Sequence, residues 1–310
     1  MVTRLYSHPI YLEHITPPGH PERPDRLRAI ERVLEDEKFA ALDRVQAPEG
    51  DPATILYAHP QSFVDKVQAL IPETGIQRVD ADTTVSPKSW QAAITAIGAA
   101  NAAVDDVFSG RADNVFVASR PPGHHAEKTT AMGFCLFNNA AVAARAAQAM
   151  YHVDRVLIID WDVHHGNGTQ DIFYDDPRVY YLSIHLAGHY PGTGWIDERG
   201  AGAGQGTTRN VPLAQGTPAA DTLHAFDAAL SATLAEFEPQ LTIVSAGFDC
   251  LKGDPLGGLL LEPADLHTIT GTITERVGSP AVLVLEGGYA PARVAQGVLA
   301  VFHALAGLPH

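Results

Sequence analysis

Apolar and polar positions along the chain follow two alternating patterns. Five short runs rich in β-branched residues are apolar at nearly every position, as in parallel strands that are buried on both faces. These runs occupy residues 114–119, 155–160, 179–184, 241–246 and 281–286, and a shorter strand is predicted near 4–7.

Segments with helical periodicity separate these runs. In residues 22–36 the apolar side chains share one face of a helix. The Ala-rich segments 90–108 and 138–150 are predicted to be buried helices, and either Asn138 or Asn139 is expected to cap the second one. Further helices are predicted near residues 221–237, 263–277 and 292–305.

The alternation of strands and helices predicts an α/β fold. Such a pattern is typical of a mostly parallel sheet with right-handed crossovers and with helices on both faces. The chain contains no repeat, low-complexity tract or obvious linker, so residues 1–310 are predicted to form a single domain.

Each of the five predicted strands is followed at once by unusual polar residues. Ligands bind at the carboxyl ends of the strands in open parallel sheets, so these residues are expected to converge on one site. The segments are RPPGHH at 120–125, WDVHHGNG at 161–168, His185 with LAGHYPGTG at 186–194, GFDC at 247–250 and GGY at 287–289.

Three of these polar residues are candidate metal ligands. Asp162 and His164 are two positions apart in an extended segment, so both side chains point the same way, and Asp249 arrives from another strand. Two carboxylates and one imidazole suit zinc or iron(II), with a position left open for water. Alone, Asp-Val-His also fits a loop satisfied by backbone contacts, but the four other strand ends favour the metal site.

Other residues in these segments suit proton transfer. His124 and His125 follow a stiff Pro-Pro-Gly turn and could act in general acid–base catalysis, although a second pair of metal ligands or a surface loop fits as well. Asp160 and Asn167 are candidates to bind the ring N–H groups of the two histidines and fix their tautomers. Tyr289 could donate to a developing oxyanion, or it could only pack.

Composition narrows the choice of partners. Lys and Arg total 21 against 36 Asp and Glu, a net charge of −15, so direct nucleic-acid binding is not expected. The acidity favours cationic substrates or only aids solubility.

The cysteine content and the N-terminus bear on the compartment. Two cysteines are too few for a disulfide framework. The N-terminus lacks an apolar signal-peptide core, and no run approaches the roughly 20 residues that span a bilayer. A soluble, cytoplasmic protein without membrane contact is therefore predicted.

Together these motifs resemble the histone deacetylase and acetylpolyamine amidohydrolase family, in particular its bacterial class II-like members. The resemblance covers most of the chain, and the order of its motifs is highly specific. It rests on GHPERPDRL (19–27), RPPGHHA, GFCLFNN (133–139), DWDVHHGNGTQ, SIHLAGHYPGTG, AGFD and LEGGY.

The resemblance implies a single arginase/deacetylase-like domain around an eight-stranded, mostly parallel sheet. It implies one Zn²⁺ per chain on Asp162, His164 and Asp249, with removal of acetyl or other acyl groups from acyl-lysine-like amines. His125 would be the general base and acid, and His124, held by Asp160, its electrostatic partner. Tyr289 would polarise the substrate carbonyl.

The resemblance also implies a substrate tunnel and a second ion. Phe134 and Tyr190 would flank the tunnel, and Gly133, Gly287 and Gly288 would adjoin the substrate. A structural K⁺ would bind near the zinc through backbone and side-chain oxygens. Its ligands would come from Asp160, Asp162, His164 and Ser183.

Three positions distinguish this chain from common family patterns. Asn167 replaces the aspartate of class I members, so His125 should be easier to keep neutral. Tyr190 replaces a frequent phenylalanine and adds a hydroxyl. Leu256, in Gly253–Gly257, replaces the glutamate that polyamine-selective relatives place at the tunnel mouth. This leucine favours acyl-lysine peptides or proteins over acetylated polyamines, although small N-acyl amines stay open as substrates.

Two further interpretations compete with a zinc deacetylase. A ureohydrolase with two manganese ions shares the fold but needs more carboxylates, and Asp254 lies only five residues beyond Asp249. A non-catalytic acyl-lysine-binding module would be expected to lack Tyr289 or one of the histidines.

Cys135 and Cys250 border the predicted site and are expected only to pack. The oligomeric state, including a homo-oligomer, is left open.

Overall fold

The computed structural model describes residues 2–36, 39 and 42–310. In this part of the chain, eight strands pair in parallel in one sheet, and two short strands form a separate antiparallel pair. The strands are β1 (Thr3–Ser7), β2 (Asp43–Gln46), β3 (Gln77–Arg78), β4 (Thr84–Val85), β5 (Asn114–Val117), β6 (Val156–Asp160), β7 (Val179–Leu186), β8 (Thr208–Leu213), β9 (Leu241–Ala246) and β10 (Ala281–Leu285).

The order of strands in the large sheet is β2-β1-β5-β10-β9-β6-β7-β8. The five apolar runs seen in the sequence form five of its six interior strands, and the residues of these five strands are buried throughout. The sixth interior strand is β1, the shorter strand predicted near 4–7. The two edge strands, β2 and β8, were not predicted. Their sequences, DRVQ and TRNVPL, are not continuous apolar runs, and most of their residues are only partly buried or exposed, because an edge strand is less deeply covered.

Helices connect the strands and pack in two groups, as expected for layers on the two faces of the sheet. One group joins α3, α4 and α5, and the other joins α1, α8, α7 and α6. The predicted helices are confirmed to within a few residues, whereas α2 and the short α5 were not predicted. The helices are α1 (Asp25–Leu34), α2 (Gln61–Ala69), α3 (Ser89–Phe108), α4 (Asn139–Tyr151), α5 (Asn167–Phe173), α6 (Ala219–Glu236), α7 (Pro263–Arg276) and α8 (Pro291–Leu305).

Local sequence explains where these helices begin. Asn138 is the cap of α4, and its side chain accepts a hydrogen bond from the Ala141 N–H at 2.9 Å. Pro263 and Pro291 stand in the first turn of their helices, where a missing N–H costs nothing. None of the helices in the described part of the chain has the length and apolar character that a membrane span requires.

A buried ion-pair network ties the N-terminal segment to the strand ends. Glu22 is fully buried, and Arg120 donates to both of its carboxylate oxygens. Arg120 also donates to the carbonyl oxygens of Tyr11 and His14, at 2.7 and 3.1 Å. Arg26 donates to Glu22 Oε1 at 3.0 Å and to the backbone carbonyl of Glu286. Because Arg120 opens the 120–125 segment, this network fixes where that segment begins.

Replacing Glu22 with glutamine should destabilise the fold, because two buried guanidinium groups would lose their counter-charge. We expect a loss of about 3–5 kcal/mol in the free energy of unfolding near neutral pH. Burial raises the pKa of Glu22, but Arg120 and Arg26 lower it to about 2, from its usual 4.5. The stabilisation should therefore be complete above pH 4.5 and vanish as the pH falls toward 2.

The measurement is denaturant unfolding of both proteins across that pH range. The control is Glu31→Gln, the same chemical change at an exposed position of α1. Equal stability losses in the two variants would contradict the role assigned to Glu22.

Candidate active site

The polar strand ends converge at one edge of the sheet, as the sequence predicted. Asp160, the last residue of β6, pairs in register with Ser183 of β7 on one side and with Ser245 of β9 on the other. His124, from the segment after β5, bonds to the Asp160 carboxylate, with 3.0 Å between Nδ1 and Oδ2. The parallel register of the strands therefore places residues that lie far apart in the sequence at the same edge of the sheet.

Asp162, His164 and Asp249 form a compact buried group. Their candidate ligand atoms all lie within 4.8 Å of one another. His164 Nδ1 is 3.0 Å from Asp162 Oδ1 and 3.2 Å from Asp249 Oδ2. Among the described residues this is the one such group that could hold a metal ion, and it contains the three ligands chosen from the sequence.

The surroundings of this group fit a bound cation. Asp249 Oδ2 is buried, and in the described structure no donor meets it with hydrogen-bond geometry, although His164 Nδ1 lies 3.2 Å away. An unsatisfied carboxylate oxygen is costly in the interior of a protein. Burial and the neighbouring Asp162 raise the pKa of Asp249 to about 7, and a bound cation would favour the ionised form of this carboxyl group. Two carboxylates and one imidazole are a donor set that zinc accepts.

Asp254 does not join this group as a further metal ligand. One of its oxygens accepts from the Leu256 N–H at 3.0 Å, and the other accepts from the N–H groups of Tyr289 and Ala290 at 2.6 and 3.0 Å. Its carboxylate thus holds two loops in place. The carboxylates of the described residues therefore favour one ion over the two-metal arrangement of a ureohydrolase.

The two adjacent histidines have different surroundings. His124 bonds to Asp160, and its Nε2 lies 3.9 Å from Asp162 Oδ2. Burial lowers the pKa of His124, but Asp162 and Asp160 outweigh burial and raise it to about 10. His124 is therefore the cationic member of the pair.

His125 is held in the opposite state. Its Nδ1 lies 2.8 Å from Asn167 Oδ1, a neutral acceptor. Burial, together with the nearby His124 and His164, lowers the pKa of His125 well below its usual value. The contacts of His124 with Asp160 and of His125 with Asn167 are those expected from the sequence. A neutral imidazole can accept a proton, and the catalytic roles of the two histidines stay a prediction.

Glu286 holds the histidine segment against the sheet. Its Oε2 accepts from the N–H groups of Gly123 and His124, at 2.6 and 3.1 Å, and its Oε1 accepts from Ser245. Glu286 was not among the predicted site residues. Its position at the end of the apolar run 281–286 could have indicated it, because a carboxylate at the end of a buried strand needs hydrogen-bond partners.

A pocket of about 310 Å³ opens onto His125 and onto the candidate metal ligand His164. Seven of the predicted residues line it: His125, Gly133, Phe134, His164, Tyr190, Leu256 and Tyr289. Four further residues were not predicted: Asp82, His189, Pro255 and Gly257.

The aromatic rings of the pocket wall stand edge-on to the two candidate catalytic side chains, Tyr289 and His125. The ring centres of Phe134 and Tyr289 lie 5.7 Å apart, and those of Tyr190 and His125 lie 5.0 Å apart. Gly133 and Phe134 both have positive φ, 57° and 68°. A Cβ on Gly133 would lie 2.4 Å from the His125 ring, so only glycine allows this close approach.

His189 and Asp82 complete the rim. His189 stacks on His164 with ring centres 5.2 Å apart, and its Nε2 lies 3.1 Å from the Leu256 carbonyl oxygen. Thr83 donates to Asp82 Oδ1 at 2.9 Å, and burial raises the pKa of Asp82. Asp82 had no sequence signal, because it comes from the β3–β4 hairpin, far from any predicted strand end. His189 lies in the polar segment 186–194 after the third predicted strand, although it was not chosen as a site residue.

The remaining predicted residues are accounted for as follows. Gly287 lies against Asp162 and Asp249, and Gly288 lies against Phe248 and Val294, so their contact with substrate stays a prediction. Ser183 Oγ bonds to His185 Nδ1 at 2.8 Å, and its role as a potassium ligand stays a prediction. Burial raises the thiol pKa of Cys135 and of Cys250 well above its usual value, as expected of cysteines that only pack.

An eight-stranded parallel sheet that carries a buried Asp–His–Asp group at its strand ends defines an arginase/deacetylase fold. The family profile of the histone deacetylase domain matches residues 20–305, and the chain belongs to the histone deacetylase family of hydrolases.

Three comparisons illustrate this membership. The chain is 41% identical over 305 residues to an uncharacterised protein of Synechocystis sp., covering 96% of this chain and 97% of that one. It is 37% identical to the histone deacetylase-like amidohydrolase of Pseudomonas aeruginosa, over 94% of this chain and 78% of that protein. The crystal structure of the HDA15 HD domain matches with a TM-score of 0.93 and 38% identity, covering 99% of this chain and 88% of the other.

Gly287→Ala should impair metal binding without a catalytic residue being changed. An added Cβ would lie 2.0 Å from Asp249 Oδ2 and 2.5 Å from Asp162 Oδ2, so both carboxylates must move. We expect wild-type protein to retain about one zinc per chain after dialysis, and the variant to lose at least about tenfold in zinc affinity.

Elemental analysis and competition with a zinc chelator measure this loss. Gly271→Ala in α7 is the matched control, because an added Cβ there meets nothing within 4 Å. Unchanged zinc affinity in Gly287→Ala would argue against the assigned ligands, and two zinc ions per wild-type chain would favour the dinuclear alternative.

Proposed function

We propose that this protein is a zinc-dependent deacylase that removes acetyl or related acyl groups from acyl-lysine-like amines. The observation that carries the proposal is the buried Asp162–His164–Asp249 group, which lies beside a neutral His125 at a pocket also lined by Tyr289. A non-catalytic binding module would not need a cationic and a neutral histidine next to such a group. The complete set supports an enzyme.

Asp162, His164 and Asp249 would hold zinc, which would supply Lewis acidity to the amide carbonyl and would lower the pKa of water. His125 accepts the proton of the attacking water at its free ring nitrogen. It then returns that proton to the nitrogen of the leaving amine. A single neutral imidazole can do both, provided that its other nitrogen stays bonded to Asn167.

His124 has an electrostatic role in this scheme. Its positive charge lies next to the base and is stabilised by Asp160, which also accepts a hydrogen bond from the Tyr181 hydroxyl at 3.0 Å. That charge disfavours a second proton on the resting His125 and favours the negative charge that develops on the substrate carbonyl. We also propose that a structural K⁺ binds near Asp160, Asp162, His164 and Ser183, since the register places Ser183 beside Asp160.

Tyr289 is the proposed oxyanion donor. Its side chain is buried beneath the pocket, and the Arg26 guanidinium lies 5.3 Å from the centre of its ring. Burial raises the pKa of the Tyr289 hydroxyl well above its usual value, so the group keeps its proton and can donate it in a hydrogen bond. A neutral donor aimed at developing charge stabilises the transition state more than the ground state.

Tyr289→Phe should lower kcat on an acetyl-lysine peptide by about 10²–10³-fold with little change in KM, because one oxyanion donor is lost. Steady-state kinetics of the zinc-loaded protein measure the effect, and circular dichroism checks that the fold is kept. Tyr57→Phe, at an exposed tyrosine, is the matched control. Near-normal turnover in Tyr289→Phe would rule out the oxyanion role.

The rim of the pocket gives two opposing indications about substrate class. Leu256 is held by Asp254 and His189 and offers no charge, which favours an acyl-lysine side chain or an uncharged acyl amide. Asp82 places a carboxylate on the same pocket, and this favours a substrate with a distant ammonium group, such as an acetylated polyamine. Acetylpolyamine deacetylation is therefore the second candidate function.

A deacylation screen with two variants separates these candidates. We expect wild-type kcat/KM to be at least as high for an acetyl-lysine peptide as for N-acetylspermidine. Leu256→Glu should shift the ratio about 10–100-fold toward the polyamine, as a charged hydrogen bond of 1–3 kcal/mol would. If instead wild type strongly prefers the polyamine and Asp82→Asn abolishes that preference, Asp82 rather than Leu256 sets specificity.

A further inference from the structure

Asn167, the first residue of α5, bridges the proposed base and a carboxylate that the mechanism above does not use. Its Oδ1 lies 2.8 Å from His125 Nδ1. On its other side, Nδ2 lies 2.8 Å from Glu127 Oε1 and 3.3 Å from Met132 Sδ. The amide thus has one neighbour toward the active site and two neighbours away from it.

The chemistry of these neighbours determines which way the amide faces. A side-chain amide has a donor end and an acceptor end, and a half-turn exchanges them. An ionised carboxylate only accepts hydrogen bonds, and a thioether sulfur is a weak acceptor. Glu127 and Met132 therefore select the NH₂ group and leave the oxygen facing His125.

The amide orientation in turn determines the tautomer of His125. An oxygen at Nδ1 requires that this nitrogen carry the proton, so a neutral ring keeps its lone pair at Nε2. If the amide were reversed, its NH₂ group would face Nδ1 and favour the proton on Nε2. Nε2 could then no longer accept a proton from water.

We propose that Glu127 is a positioning residue that orients the Asn167 amide and so keeps His125 in the tautomer that can act as a base. This inference rests on the proposed function in one respect, the role of His125. It adds a residue that the sequence analysis did not select and that does not line the pocket.

The turn that carries Glu127 is fixed against α5, so the carboxylate is well placed for this role. The Glu127 N–H donates to the Thr130 carbonyl oxygen at 2.9 Å, and the Lys128 N–H donates to Asp171 Oδ2 at 3.0 Å. A Cβ on Gly168 would lie 2.2 Å from the Ala126 carbonyl oxygen, which shows how closely helix and turn approach.

A double-mutant cycle tests the proposal. Glu127→Ala should lower kcat on an acetyl-lysine peptide about 10–100-fold and leave KM nearly unchanged, as loss of an outer partner of a catalytic group does. In Asn167→Asp, both oxygens at position 167 accept, so His125 Nδ1 must donate whichever way the group faces. Adding Glu127→Ala to Asn167→Asp should therefore change kcat by no more than about twofold.

Nuclear magnetic resonance provides a second readout that does not depend on turnover. Selective ¹⁵N-histidine labelling, with His125→Ala to assign the signal, distinguishes the protonated ring nitrogen from the unprotonated one. We expect wild-type His125 to carry its proton on Nδ1 and Glu127→Ala to show a mixture of tautomers. Glu31→Ala is the matched control at an exposed glutamate. If Glu127→Ala does not fold, Glu127→Leu replaces it, because leucine keeps most of the side-chain volume and has no acceptor for the Asn167 amide.

The outcomes separate this inference from the proposed function. The role of Glu127 would be overturned if Glu127→Ala lowered kcat equally in the wild type and in Asn167→Asp. It would also be overturned if the His125 tautomer were unchanged in Glu127→Ala. A wild-type protein that is inactive on every acyl amide would overturn the proposed function, and the tautomer measurement would still judge the positioning role on its own.

Discussion

Four carboxylates buried at one edge of a parallel sheet are the constraint on which the rest of this structure depends. Asp160, Asp162, Asp249 and Glu286 are all fully buried, and each needs donors or positive charge. Glu286 obtains them from the backbone of the histidine segment, and Asp162 accepts from the Gly287 N–H at 2.7 Å. The loops after the strands are therefore shaped by the need to satisfy these groups.

The same constraint explains why two adjacent histidines behave differently. His124 faces the carboxylate of Asp160 and carries a positive charge, which compensates part of the buried negative charge. His125 faces a neutral amide, and its charged neighbours keep it neutral. The two histidines therefore differ in their protonation because their hydrogen-bond partners differ: Asp160 for His124 and Asn167 for His125. Asn167 is in turn held by Glu127, one step further from the pocket.

Much of the fold and of the candidate site could be predicted from local pattern. The interior strands are continuous apolar runs, and their ends carry polar residues that parallel topology must bring together. Edge strands β2 and β8 escaped prediction because half-covered strands lack that pattern. Asp82 escaped prediction because it reaches the pocket from a hairpin, and no periodicity in the sequence indicates such an approach.

The sequence by itself determined the α/β class, the metal-ligand candidates and the histidine pair. Each of these follows from residue type and spacing within a short segment, together with the rule that parallel strands end at a common edge. Only the tertiary structure decided that Glu22 binds Arg120, that Asp254 supports loops instead of a second metal, and that Glu127 reaches Asn167. These contacts join residues 98, 35 and 40 positions apart. Such pairings depend on how loops pack, because a hydrogen bond requires a distance and a direction that sequence separation does not specify.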